Sequence, residues 1–69
     1  MTAGTAASRF HLTVVADGRE LLHGWWGSET VVRGKFTAWI GRHGTRPGAR
    51  VTLTDEETGA VLTEWPDQR

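Results

Sequence analysis

Three histidines, His11, His23 and His43, are the side chains of this sequence best suited to carrying a proton near neutral pH or to ligating a metal ion. Proton transfer needs a second titratable group within hydrogen-bond reach. A structural metal needs about four converging ligands. No two histidines have short ligand spacing, and cysteine is absent. His23 reads as a hydrogen-bonded histidine among apolar neighbours, and His11 and His43 as surface residues. Asp55, Glu56 and Glu57 form an acidic run in a turn, where carboxylates are simply solvated. No nucleophile–base–acid pattern and no glycine-rich phosphate loop is present. The expectation is a protein without catalytic activity, cofactor or metal.

Two other groups of residues bear on binding. Residues 33–50 hold five cations, Arg33, Lys35, Arg42, Arg46 and Arg50, and no acid. Such a stretch beside an aromatic ring is the material of a nucleic-acid groove. The formal net charge is zero, however, and seven of the eight cations are arginine; a nucleic-acid-binding domain is expected to be strongly basic. The charge is unevenly placed. Residues 1–50 carry seven cations and three acids, and residues 51–69 carry one cation and five acids. Pairing of the two ends in the fold is the favoured reading, ahead of a polar face for a partner.

Residues 42–47, from Arg42 through His43, Gly44, Thr45 and Arg46 to Pro47, resemble the nucleophile motif of histidine acid phosphatases, with one residue missing between Arg46 and Pro47. That family uses a large α/β domain to supply further phosphate ligands, which 69 residues cannot build. Val32, Arg33, Gly34 and Lys35, followed by Arg42, His43 and Gly44, are similar to a basic stretch of the trp RNA-binding attenuation protein, with the spacing off by one. That similarity keeps RNA among the partners to consider.

Four tryptophans, Trp25, Trp26, Trp39 and Trp65, are the largest apolar groups available to a small core. Each can bury on the order of 150–250 Å². Their positions depend on the elements that carry them. Residues 9–16 alternate apolar and polar positions as a strand does. Asp17 and Gly18 then form the pair that a two-residue hairpin loop favours. The return strand runs from Arg19 to about Trp26. A loop of two residues sets Val14 opposite Leu21, Leu12 opposite His23 and Phe10 opposite Trp25 on the core face. Trp26 and Leu22 then point outward, with Arg9 placed to stack on Trp26. Adjacent strand residues alternate, so one of Trp25 and Trp26 must face away from the core.

Residues 29–42 fit two periods. As a helix they gather Val32, Phe36, Trp39 and Ile40 on one face, with Thr30, Arg33, Gly34, Thr37 and Gly41 opposite. Ser28 as N-cap, Glu29 in the first turn, and Arg42 and His43 in the last favour the helix. Gly34 and the β-branched run from Thr30 to Val32 oppose it. Residues 49–54 and 60–65 form a second hairpin around a turn at Asp55–Gly59, with Gly59 left-handed. Val51 is expected near Thr63 and Leu53 near Val61, sharing a face with Trp65, and Leu62 on the other side.

The expected architecture is α+β, ββαββ: two antiparallel hairpins joined by an amphipathic helix packed on the sheet. The alternative is an all-β small barrel in which residues 30–41 form a long central strand. A single domain over 9–66 is expected, with a disordered tail at 1–8 and a short one at 67–69. No signal peptide and no apolar run of about 20 residues is evident, so a membrane is not expected and a cytoplasmic setting is. The functional expectation is a small interaction module binding protein or itself through Trp26, Leu22 and Arg9. The alternative is a nucleic-acid-binding accessory protein using Arg33, Lys35, Arg42, Arg46 and Arg50.

Overall fold

A computed structural model describes residues 9–66; the tails assigned to 1–8 and 67–69 lie outside these residues. The elements are β1 (Phe10–Ala16), β2 (Arg19–Trp26), α1 (Glu29–His43), β3 (Arg50–Asp55) and β4 (Ala60–Trp65). The four strands form one open antiparallel sheet in the order β2-β1-β3-β4. The helix packs on one side of it, and the expected ββαββ architecture is the one observed.

Local chemistry accounts for the element ends. Asp17 and Gly18 both adopt left-handed backbone angles, φ 55° and 78°. This is the two-residue turn whose twist matches a hairpin. Ser28 caps α1, its hydroxyl accepting from the Val31 N–H at 3.2 Å. Glu29 sits at the positive end of the helix dipole, and Arg42 and His43 at the negative end. Gly59, at φ 78°, closes the second hairpin by donating its N–H to the Asp55 carbonyl at 2.7 Å.

The core lies between α1 and the two central strands. Phe10, Leu12, Val14 and Ala16 from β1, and Val51 and Leu53 from β3, are buried. From α1 only Val32 is fully buried, while Phe36, Trp39 and Ile40 pack against the core from its rim. The helix thus turns inward the face its sequence period marks. The edge strands contribute the half-buried Leu21, Leu22, Trp26, Leu62 and Trp65.

Both hairpins depart from the expected register, the first through an extra residue in β2, the second through a loop one residue shorter than expected together with an extra residue in β4. In the first, Ala16 pairs with Arg19 and Val15 with Glu20, but Val14 pairs with Leu22, leaving Leu21 as a β-bulge. Everything beyond is displaced by one residue. Trp26 lies opposite Phe10, on the core face, and Trp25 lies opposite His11, on the other. The inward and outward assignments of Trp25 and Trp26 are therefore reversed. So are those of Leu22, which packs against the core, and His23, which leaves it. Without the bulge, His23 would occupy the core face. In the bulged register Gly24, covered by the Trp26 ring, takes that place opposite Leu12, and the roughly 1–3 kcal/mol cost of burying an unpartnered polar ring is avoided. The exchange favours the bulged register.

The second hairpin repeats the pattern. Asp55 pairs with Ala60 and Thr54 with Val61, but Leu53 pairs with Thr63 and Val51 with Trp65. Leu62 is the extra residue and packs against the core, whereas Val61 is 57 % exposed. The expected sides of these two residues are likewise reversed, while Trp65 lies on the core face as its spacing indicated.

Candidate functional site

Among the described residues no element covers the sheet face opposite α1. Opposed residues of antiparallel strands share a face. The register therefore places Trp25, His11, Thr54 and Val61 in one row across the sheet, and His23, Thr13, Thr52 and Glu64 in the next. Trp25 is 46 % exposed. Its indole stacks on the imidazole of His11, with centroids 3.9 Å apart and planes 3° from parallel.

The two histidines that the sequence separates are brought into contact here. His11 Nε2 lies 2.9 Å from His23 Nδ1, with the rings edge to face at 5.1 Å. His11 Nδ1 faces Glu56 Oε2 at 3.3 Å, and His23 Nε2 faces Glu20 Oε2 at 3.6 Å. A linear chain results: carboxylate, imidazole, imidazole, carboxylate, with Trp25 stacked on one link. Within the imidazole pair one ring donates and the other accepts. Among the described residues no three His, Cys or carboxylate groups are disposed to hold an ion. Glu20 and Glu56 have no motif signal, and the His11–His23 contact becomes legible only once a bulge is allowed in β2.

The residues first expected to bind are differently employed. Arg9 does not stack on Trp26. It makes a two-pronged contact with Asp55, Nε to Oδ1 at 2.8 Å and Nη2 to Oδ2 at 2.7 Å, and its Nη1 reaches Glu57 at 2.9 Å. Asp55 is nearly buried beside Phe10 and also accepts the Glu57 N–H at 3.0 Å. The guanidinium of Arg9 holds the Asp55 carboxyl below the ordinary carboxylate range, and the Asp55 hydrogen bonds raise Arg9 in turn. Trp26 packs edge to face on Trp39, centroids 5.6 Å apart, and joins the sheet to the helix.

Of the five cations in 33–50, three are paired within the fold. Arg33 bonds Glu29 at 2.8 Å, Arg46 bonds Asp17 at 2.9 Å and Arg50 bonds Glu64 at 2.8 Å. Among the described residues Lys35 and Arg42 have no ion-pair partner. Arg9 with Asp55 and Glu57, and Arg50 with Glu64, link the basic and acidic parts of the chain, so the charge asymmetry of the sequence is largely neutralised in space. The stretch from Arg42 to Pro47 forms the end of α1 and a loop docked on the first hairpin turn, where the Asp17 N–H donates to the Pro47 carbonyl at 2.9 Å.

Compared with models of protein families, with curated proteins and with solved structures, the chain matches none. No helix among the described residues is long and apolar enough to cross a membrane.

Proposed function

We propose that this protein is a small non-catalytic interaction module that binds protein through the open face of its sheet, centred on Trp25. One observation carries the reading: a large aromatic ring on the edge strand β2, 46 % exposed, lies in a parallel stack on His11 of the neighbouring strand, on an uncovered sheet face. A rigid, half-exposed tryptophan supplies contact area at little entropic cost, which is why tryptophan is enriched among the residues that dominate protein interfaces. The nucleic-acid alternative has weaker support, because Arg33, Arg46 and Arg50 are engaged within the fold. The reading sets the protein in the cytoplasm, where a chain without cysteine loses nothing to reducing conditions.

The test is capture of partners from a lysate of the source organism with wild type, Trp25→Ala and Trp26→Ala, each with and without nuclease. Support is a protein set that survives nuclease and is lost with Trp25→Ala while that variant stays folded. Retention of the whole set by folded Trp25→Ala, or its disappearance on nuclease treatment, overturns the reading.

A further inference from the structure

The open face has a chemical character of its own, and it is acidic. Glu20 and Glu56 stand at the two ends of the imidazole chain, and Glu64 lies in the adjacent row. Arg50, on the same face, is committed to Glu64 at 2.8 Å. Among the described residues the partners of Glu20 and Glu56 are imidazoles alone, at 3.6 and 3.3 Å, and these histidines carry charge only when protonated. Trp25 stands one imidazole away from Glu56 through its stack on His11. An electron-rich indole face beside carboxylates that lack a permanent cation is complementary to a cation. A guanidinium fits better than an ammonium: it stacks flat on an indole and its fork of N–H groups matches a carboxylate. The lone pairs of Thr13, Thr52 and Thr54 add neutral acceptors between the charged ends.

Resting on the reading of the open face as the protein-binding surface, we infer that its occupant is an arginine-bearing segment of a partner protein. One guanidinium stacks on the exposed side of Trp25, and Glu20 and Glu56 hold flanking cations. Phosphate-bearing partners are disfavoured by the same carboxylates, since like charges at close range repel.

The experiment uses the full chain and defined probes: an oligo-arginine peptide, the matched citrulline peptide, an oligo-glutamate peptide and a single-stranded oligodeoxythymidine. Binding is read by calorimetry at low and high salt. The expected result is binding of the arginine peptide alone, weakening as salt rises. Trp25→Ala should weaken it roughly tenfold. Glu20→Gln and Glu56→Gln should each weaken it about two- to fivefold. The two glutamine variants keep the inference falsifiable should Trp25→Ala fold poorly. Equal binding of the citrulline peptide, or preference for the glutamate peptide or the oligonucleotide, overturns it. So does arginine-peptide affinity unchanged in all three variants. Absence of binding to every probe also overturns it, and that failure is distinct from failure of the module reading, which is judged by whether lysate partners depend on Trp25.

Discussion

The indole of Trp26 lies back over Gly24, two residues earlier on the same strand, so closely that a Cβ at position 24 would sit 2.6 Å from Cη2 and 2.9 Å from Cζ3 of the ring. Gly24 faces the core side opposite Leu12, and an aromatic ring takes the place of the side chain it lacks. A glycine, ordinarily a weak residue in a strand, is what lets Trp26 reach Trp39 here.

Gly24→Ala should therefore push the indole off its seat and loosen the joint between sheet and helix. A loss of about 1–3 kcal/mol is expected, the usual cost of overpacking. Urea unfolding followed by tryptophan fluorescence checks it; an unchanged midpoint would show that the ring can swing away without consequence.

The two adjacent tryptophans should differ sharply in their effect on stability. Trp26→Ala removes a ring packed on the core and should cost about 2–4 kcal/mol, somewhat under the range for fully buried aromatic truncations. Trp25→Ala forfeits mainly the stack on His11, worth about 0.5–1.5 kcal/mol. Chemical denaturation of both variants decides the matter, and the reverse order would restore the unbulged register.

Acid sensitivity should localise to Asp55. Its carboxyl is held low in the folded state, chiefly by hydrogen bonds from Arg9. A depressed folded pKa contributes stability that is complete above the unfolded value, about 3.9, and is lost as pH falls through the folded value. Wild type should be more stable than Asp55→Asn at pH 7, and the gap should close below about pH 4. Unfolding midpoints of both proteins between pH 7 and pH 2 test this; a gap independent of pH would assign the effect to packing instead.

Two glycines inside α1 should be replaceable to advantage. Nothing lies within 4 Å of the Cβ that Gly34 or Gly41 lacks, and neither has a positive φ. Each costs the helix about 1 kcal/mol relative to alanine. Gly34→Ala and Gly41→Ala should each raise the melting temperature by several degrees, as about 1 kcal/mol does in a domain this small.

The sequence showed the elements well and their registers poorly, for a physical reason. Strands, turns and the helix announce themselves through side-chain period and capping residues, so Asp17, Gly18, Ser28 and Gly59 mark boundaries that the fold respects. A β-bulge carries no such residue. Leu21 and Leu62 look like ordinary strand positions, yet each takes the place of one step of alternation. The clue in β2 lay in the consecutive apolar residues Leu21 and Leu22, which strict alternation would split between core and solvent but which both pack against the core. Weighing His23 against Gly24 for the place opposite Leu12 would have favoured the slip, and with it the exposure of Trp25 and the meeting of His11 and His23.

Those same two irregularities fall on β2 and β4, the edge strands of the sheet among the described residues. A flat outer strand is a template on which another chain can polymerise, and a kink with added twist spoils the template. The protein thus offers an aromatic-bearing face while both its flanks are shaped against ribbon growth, so at high concentration it should resist forming fibrils even though it is small and rich in β-structure.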